Sequence, residues 1–167
     1  MYRVLFVCTG NTCRSPMAAQ VLRRELAETG LAAEAASAGL RAEAEGGPAD
    51  PRAQAVLMAH GYQSDHAARQ FEPGMFDQYD LIIALDSQHQ WVLRQAAPDA
   101  AAAGRVRLLG SFDPSAGAGW DVPDPAGGDI ADYERTLRLV RSAMAGVLAE
   151  ITAAVNTCPA AGGSDCG

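Results

Sequence analysis

The amino-acid sequence predicts an α/β fold, a three-layer sandwich in which a central four-stranded parallel sheet is flanked by helices. Short apolar runs alternate with segments of helical periodicity, in the order β-α-β-α-β-α-β. Such alternation implies right-handed crossovers, which make the strands parallel and cover both faces of the sheet with helices. The length of 167 residues suits one domain with a single core.

The first strand and the first helix are predicted from clear local patterns. Val4–Val7 is a continuous apolar run, typical of a strand buried on both faces, and it stops near Cys8 at a Gly, Asn, Thr and Ser cluster. Ser15 followed by Pro16 is typical of a helix start, with Ser as N-cap and Pro at the first helical position. Helical spacing of apolar residues then predicts a helix over about Pro16–Glu28.

The remaining elements continue this alternation. They are a strand at Ala35–Ala38, a helix at Pro51–His60 ending at Gly61, a strand at Tyr79–Leu85, a helix reaching about Ala97, a strand at Val106–Leu109 and a last helix from Ile130. The segment Gly110–Gly128 is rich in Gly, Pro and Asp and is longer than a connection needs. We therefore expect it to be a functional loop.

One domain is expected over residues 1–156, with a flexible tail over residues 157–167. Hydrophobic residues make up 49% of the chain and charged residues 20%, as in globular proteins. The N-terminus lacks a signal-peptide pattern, and no apolar run approaches bilayer length. The four Cys residues are too few for a disulfide scaffold and lack the spacing of zinc ligands. These features predict a cytoplasmic location, and they predict that the protein uses no metal and no cofactor.

The charged residues restrict the partners that we expect. Thirteen cations against twenty acidic residues give a net charge of -7, which disfavours nucleic acids and membranes as partners. Every cation is Arg, so chemistry that needs Lys, such as Schiff-base formation, is excluded. An anion site would have to be local, built from backbone amides and one or two Arg side chains.

A candidate anion site lies between the first strand and the first helix. Cys8 and Arg14 stand six positions apart in a loop that leads into a helix N-terminus, where unpaired N–H groups and the helix dipole attract phosphate. The same field favours the thiolate of Cys8 as a nucleophile, and the Arg14 guanidinium can grip two phosphate oxygens. The predicted phosphate-binding residues are Thr9, Gly10, Asn11, Thr12, Cys13, Arg14 and Ser15.

A purely structural interpretation is that Cys8 is a small buried residue and Arg14 a surface charge. Gly10 and Asn11, which tolerate positive φ, favour the functional interpretation because a phosphate loop needs such a backbone. Ser15 either caps the helix alone or also donates a hydrogen bond to the Cys8 thiolate.

A thiolate that attacks phosphorus needs a general acid for the leaving group and later a base to activate water. Asp124 is the first candidate because Pro123 and Pro125 stiffen the loop around it. Spacing alone leaves three competitors open: Asp113, Asp121 and Asp129.

The segment VLFVCTGNTCRSPMA resembles the N-terminal signature of the low-molecular-weight protein tyrosine phosphatases, and Asp124-Pro125 resembles their general-acid motif. Further matches bring the resemblance to residues 3–155; they are Ser37–Gly39, Asp65–Gln70, Asp80–Asp86 and Leu108–Pro114. The resemblance implies phosphorylated protein substrates and inorganic phosphate as product.

The same resemblance implies roles for individual residues. Cys8 is the nucleophile, Arg14 the phosphate clamp and Asp124 the acid and then the base. Loop support is assigned to Asn11, Ser15 and His66. In this family a second loop Cys, here Cys13, can form a reversible disulfide with the nucleophile and protect it from irreversible oxidation; a small side chain without that role is the alternative.

Substrate selectivity is predicted from three departures from the tyrosine-directed members. Those members line the cleft with aromatic side chains, where this chain carries Glu43 and Ala126. Thr12, within the GNTCRS loop, makes the loop similar to that of the bacterial protein-arginine phosphatases. Those relatives, however, tend to carry an aromatic residue where Ala126 stands. We therefore expect phosphoarginine as substrate slightly ahead of phosphotyrosine.

Two other classes of protein are alternatives. A thioredoxin-coupled arsenate reductase would need further Cys residues near the middle of the chain, but residues 80–100 contain none, and Cys158 and Cys166 fall in the tail. A non-catalytic phosphoprotein-binding module would need neither a nucleophile nor an acid. Cys8 and Asp124 therefore favour an enzyme.

Overall fold

The computed structural model describes residues 1–115, 117 and 119–157. The strands are β1 (Tyr2–Cys8), β2 (Ala33–Gly39), β3 (Leu81–Ala84) and β4 (Val106–Leu108). The helices are α1 (Arg14–Thr29), α2 (Pro51–Ala59), α3 (Met75–Gln78), α4 (Ser87–Ala96), α5 (Ala100–Gly104) and α6 (Ile130–Thr157), with a 3₁₀ helix at Leu109–Phe112.

The four strands form one parallel sheet in the order β2-β1-β3-β4. Cys8, the last residue of β1, pairs with Gly39 of β2, and Val7 pairs with Ala84 of β3. The carboxyl ends of three strands therefore meet at one edge, where ligands bind in open α/β sheets. The predicted fold class is confirmed.

The layers follow from the alternation of side chains along β1, whose residues from Val4 to Cys8 are all buried. Val4 and Phe6 belong to a core shared with α1, α2 and α6, whereas Leu5 and Val7 belong to a second core beneath α3, α4 and α5. Both faces of the sheet are thus covered, which requires the continuous apolar run seen in the sequence.

Two boundaries correct the sequence-based expectations. β2 forms over Ala33–Gly39 despite its Ala content, because its whole length pairs with the central strand. Helix α1 starts at Arg14, with Cys13 as N-cap and no side-chain cap. The prediction that Ser15 caps this helix is therefore wrong, since its hydroxyl is hydrogen-bonded within the phosphate loop instead.

Helix α6 has the length and apolar composition of a membrane-spanning helix, although the sequence analysis expects no run of bilayer length. One face packs into the core against α1, α2 and the 3₁₀ helix, and the helix carries several Arg and Glu side chains. It is the core helix of the sandwich by its packing. It ends at Thr157, and residues 158–167 of the predicted tail lie outside the described residues.

Candidate active site

The phosphate loop, residues 8–15, joins the end of β1 to the start of α1. Cys8 is 3% exposed, and its Sγ lies 2.9 Å from the Ser15 Oγ. Ser15 Oγ is also 3.3 Å from the Ala38 carbonyl oxygen, so its single proton has two acceptors. When Cys8 is a thiolate, the Ser15 hydroxyl donates its hydrogen bond to the sulfur and not to the carbonyl oxygen, because hydrogen bonds to ionised acceptors are the stronger ones. Ser15 is thus placed to stabilise the thiolate.

Asn11 fixes the bend of the phosphate loop. Its φ of 56° lies in the left-handed region, which Asn adopts more readily than most residues. The fully buried side chain donates from Nδ2 to the hydroxyls of Ser15 and Ser37, each at 2.9 Å, and its Oδ1 accepts the Arg69 N–H at 2.9 Å. All its amide groups are used within the fold, as a rigid loop requires.

His66 contacts the same bend from outside the loop. Its Nε2 donates to the Asn11 carbonyl oxygen at 2.7 Å. Burial lowers the pKa of His66, with the Asn11 hydrogen bond opposing that effect. The structure therefore places His66 in contact with the phosphate loop that contains Asn11 and Ser15.

Gly39 lets β2 approach the phosphate loop closely. A Cβ atom at this position would lie 2.8 Å from the Thr9 carbonyl oxygen and 2.9 Å from the Asn11 nitrogen. Both atoms belong to the loop backbone, which cannot move aside without changing the loop. Glycine at the end of β2 is thus a steric requirement of the site that the sequence analysis did not identify.

Arg14 is 4% exposed and lies between two carboxylates. Its Nη1 donates to Asp86 Oδ2 at 2.9 Å and to the Val122 carbonyl oxygen at 3.2 Å. Its Nη2 donates to Asp124 Oδ2 at 3.1 Å and approaches Thr9 Oγ1 at 3.5 Å. The phosphate clamp predicted from sequence is therefore linked directly to the predicted general acid.

Asp86 is a site residue that the sequence analysis did not single out. It follows β3 and caps α4, with its Oδ1 accepting the His89 N–H at 2.7 Å. Burial opposes its ionisation, but the His89 N–H, the nearby His89 imidazole and the charge of Arg14 outweigh this effect and lower the pKa of Asp86 to about 2. The sequence could have identified it, because an Asp directly after a buried parallel strand stands at the edge of the sheet where ligands bind.

The structure separates the four candidate acids. Asp124 contacts Arg14, and its other oxygen accepts the Ala126 N–H at 3.1 Å. The other three carboxylates are bound elsewhere, Asp121 to Ser87, Asp113 to Ser115 and Trp120, and Asp129 to the backbone at the start of α6. The Asp124 side chain is 52% exposed, so it can reach both leaving group and water.

A cleft of about 460 Å³ opens at Arg14. Its lining residues are Thr9, Arg14, Asp86, Ser87, Gln88, Asp121, Val122, Pro123 and Asp124. Three carboxylates therefore face this cleft beside one cation, and none of the described lining residues is aromatic. Glu43 and Ala126 are exposed, and Thr12 is half-buried. Thr9, which directly follows Cys8 in the phosphate loop, brings one end of that loop to the cleft.

Cys13 lies in the loop but faces the core. It is 6% exposed, and its Sγ is 3.5 Å from the hydroxyl of the buried Tyr133. Burial raises the pKa of the Cys13 thiol, although the hydrogen bond from Tyr133 opposes this. Cys8 and Cys13 are both free in this structure, whereas Cys158 and Cys166 lie outside the described residues.

In the part of the chain that the structure describes, no group of three or more His, Cys, Asp or Glu side chains could hold a metal ion.

The fold and the site define a cysteine-based phosphatase, and comparisons with known proteins agree. The family model described as "Low molecular weight phosphotyrosine protein phosphatase" matches residues 3–157. The chain belongs to this family.

Individual relatives carry two kinds of name. A low molecular weight protein-tyrosine-phosphatase of Streptomyces coelicolor is 50% identical over 90% of this chain and 93% of its own length. A protein-arginine-phosphatase of Geobacillus stearothermophilus is 37% identical over 79% of this chain and 84% of its own. Among solved structures, a protein tyrosine phosphatase from Entamoeba histolytica with Hepes in the active site superposes with a TM-score of 0.87 at 27% identity, covering 92% of this chain and 99% of that one.

Proposed function

We propose that this phosphatase hydrolyses phosphorylated protein side chains through a phosphocysteine intermediate, with phosphoarginine preferred to phosphotyrosine. The observation that carries the mechanism is the contact between Arg14 and Asp124, which joins the loop of the nucleophile to the general acid at 3.1 Å. Cys8 lies at the start of the same loop, hydrogen-bonded to Ser15. Nucleophile, clamp and acid are thus assembled at one edge of the sheet.

The first chemical step transfers the phosphoryl group to Cys8. The thiolate attacks phosphorus, a bond forms between Sγ and phosphorus, and the bond from phosphorus to the leaving nitrogen or oxygen breaks. Asp124, in its protonated form, gives its proton to the leaving atom, so that a tyrosine leaves as the phenol and an arginine as the guanidinium. Loop amides at the start of α1 and the Arg14 guanidinium balance the negative charge on the equatorial oxygens.

Binding of substrate changes the partners of Arg14. Nη2 donates to Asp124, whereas Nη1 is held by Asp86. A phosphate dianion at the loop competes for Nη2, so Asp124 is released while Asp86 keeps the guanidinium in place. Arrival of the substrate therefore frees the acid at the moment when it is needed.

The second step regenerates the enzyme. Asp124, now a carboxylate, takes a proton from water, and the oxygen of that water attacks phosphorus. The bond between sulfur and phosphorus breaks, inorganic phosphate leaves and Cys8 returns to its thiolate, which the Ser15 hydroxyl stabilises. All these groups belong to the chain itself. Because the loop carries two free thiols, Cys8 and Cys13, we propose the reducing cytoplasm as the place where the enzyme acts.

The lining of the cleft supports phosphoarginine. Asp86, Asp121 and Asp124 face the space next to Arg14, and a guanidinium leaving group forms charge-assisted hydrogen bonds with such carboxylates. A phenyl ring would find no aromatic partner among the described lining residues. The Thr12 hydroxyl adds a polar group to the loop where a bulkier aliphatic residue would favour an aromatic substrate.

Phosphotyrosine is the second candidate because of the relatives. The relative at 50% identity is named a protein-tyrosine-phosphatase, whereas the arginine phosphatase is 37% identical. The phosphate loop recognises phosphate rather than the leaving group, so the two activities differ only in the residues around the cleft.

Turnover of a phosphoarginine peptide and a phosphotyrosine peptide of the same sequence tests the proposal. We expect the higher kcat/KM for phosphoarginine, a reversed preference in Thr12→Ile, and no turnover of either peptide by Cys8→Ser. A preference of the wild type for phosphotyrosine would refute the selectivity, whereas turnover that persists in Cys8→Ser would refute the mechanism. Trapping of a labile phosphorylated Cys8 by rapid acid quench and mass spectrometry reports the intermediate directly.

A further inference from the structure

His89 is a buried histidine to which neither the proposed mechanism nor the comparisons assign a role. It lies in the first turn of α4 and is 4% exposed. Its Nε2 is 2.8 Å from Thr9 Oγ1, at the start of the phosphate loop. A histidine that serves only as core packing would be surrounded by apolar groups, whereas this one ends on a hydroxyl of the site.

The other ring nitrogen of His89 faces a carboxylate. Nδ1 lies 3.0 Å from Asp86 Oδ1, in ion-pair distance but without the alignment of a hydrogen bond. Asp86 holds Arg14 through its second oxygen, and Arg14 approaches Thr9. The four side chains therefore form a closed ring, Arg14, Asp86, His89 and Thr9, which joins α1, the end of β3, α4 and the phosphate loop.

Electrostatics determines where the protons of this ring lie. A lone pair on Nδ1 would face the negative charge of Asp86 at 3.0 Å, which is repulsive, so Nδ1 carries a proton. In the neutral imidazole of His89, Nε2 is then an acceptor, and the Thr9 hydroxyl donates to it. The lone pairs of Thr9 Oγ1 are left for the Arg14 Nη2–H.

We propose that His89 is a positioning residue, which orients the Thr9 hydroxyl and through it keeps the Arg14 guanidinium aligned for phosphate. The ring holds Arg14 from Asp86 and from Thr9, so the guanidinium stays in the site when Asp124 is released. This inference rests on the proposed function of the site, since it assigns His89 to the phosphate clamp.

Two substitutions separate the two contacts of the ring. In His89→Gln the terminal amide can occupy the place of Nε2 and still reach Thr9, whereas in His89→Asn the shorter amide replaces Nδ1 and loses Thr9. His60→Asn is the matched control, because His60 is a half-exposed histidine on the far end of α2, paired with Glu134.

Inorganic phosphate is the probe, and its dissociation constant is measured by titration calorimetry, with kcat and KM for an aryl phosphate alongside. We expect His89→Asn to weaken phosphate binding about tenfold, the effect of one or two hydrogen bonds, with His89→Gln within about threefold of the wild type. His60→Asn should bind phosphate as the wild type does. In a Thr9→Val background His89→Asn should have no further effect, because the hydroxyl that it positions is gone.

Equal losses in His89→Gln and His89→Asn, or effects that multiply in the Thr9→Val background, would overturn the inference. So would wild-type phosphate affinity in His89→Asn. A fall in Tm that tracks the loss of affinity across both variants would show a structural role only. Phosphate binding does not require turnover. If Cys8→Ser still hydrolysed the peptides, the proposed mechanism would be refuted, but this comparison of phosphate affinities would remain valid.

Discussion

The phosphate loop, residues 8–15, and the acid loop, residues 119–128, meet at Arg14 but are held very differently. Asn11 and Ser15 are fully buried, and all the polar groups of the Asn11 side chain are hydrogen-bonded. The Asp124 carboxylate is half exposed and is held by Arg14 and by one N–H of its own turn. The half of the site that we propose binds the anion is therefore preorganised, whereas the half that we propose transfers protons can change partners.

This difference fits the tasks that we propose for the two loops. Stabilisation of a developing charge is most effective when the donors are fixed before the reaction, since no energy is then spent on reorganisation. A group that acts first as an acid and then as a base must instead face the leaving group and then water. Substitutions in the two loops should consequently change different quantities.

Among the substitutions that compare the two loops, Asp124→Asn should have the largest effect on turnover. The amide keeps the shape of the side chain but cannot transfer a proton, so kcat for a substrate with a poor leaving group should fall about 10³-fold. Because the side chain is half exposed, Tm should change little. Asp113→Asn is the control, since Asp113 is bound to Ser115 away from the cleft. A similar fall in both variants would contradict the assignment of the acid.

Gly39→Ala tests the rigidity of the phosphate loop by adding one methyl group. The new Cβ would meet the loop backbone at Thr9 and Asn11, so the loop must shift by several tenths of an ångström. Because a displacement of about 1 Å can lower the rate about 10²-fold, we expect this smaller shift to lower kcat/KM by about tenfold. Gly74→Ala is the control, because a Cβ at Gly74 meets nothing within 4 Å. Wild-type activity of Gly39→Ala would show that the loop adapts.

Asn11 separates backbone conformation from side-chain hydrogen bonds. Asn11→Gly keeps the positive φ and loses the buried amide, which should lower the free energy of unfolding by about 3 kcal/mol. Asn11→Ala loses the same bonds and adds the strain of a left-handed Ala, about 1 kcal/mol more. Urea denaturation of the two variants gives the difference. Equal stability would mean that the loop changes its backbone conformation when the amide is removed.

The smallest expected effect is a pH dependence of stability due to His66. Burial lowers the pKa of His66 below its usual 6.5, so below that pH the unfolded chain binds more protons than the folded one. This contribution to stability is complete above pH 6.5 and is lost as the pH falls toward the lowered pKa. His66→Gln should lack this loss, so between pH 7.5 and pH 5.5 its Tm should fall by about 2 °C less. If the Tm of the wild type and the Tm of His66→Gln fell equally over this pH range, His66 would not be the source of the pH dependence.

The sequence predicted the fold and the phosphate loop because both depend on local patterns. The apolar run of β1 and the residues that follow it specify a buried strand and a loop of unusual backbone, and Asn11 does adopt a positive φ. The Ser15 cap was wrong because α1 starts two residues earlier than predicted, at Arg14 instead of Pro16. The short helices α3 and α5 were missed because four or five residues do not establish a helical period.

Residues distant in sequence could not be placed by local patterns. Asp86, His89 and Gly39 reach the phosphate loop because β1 lies between β2 and β3, an order that no single segment encodes. Asp124 could be separated from Asp121 only through the resemblance to a known family, since both stand in the same Pro and Asp-rich stretch. The structure distinguishes them because Asp121 binds Ser87 and Asp124 binds Arg14.

The central position of β1 also affects the order in which the enzyme becomes competent during synthesis. The ribosome makes the phosphate loop before its partners: Asp86 follows Arg14 by 72 residues, His89 follows Thr9 by 80 and Asp124 follows Arg14 by 110. Parallel pairing over such distances closes slowly. A nascent chain therefore carries Cys8 without its acid until most of the domain has emerged, so phosphatase activity reports completed folding.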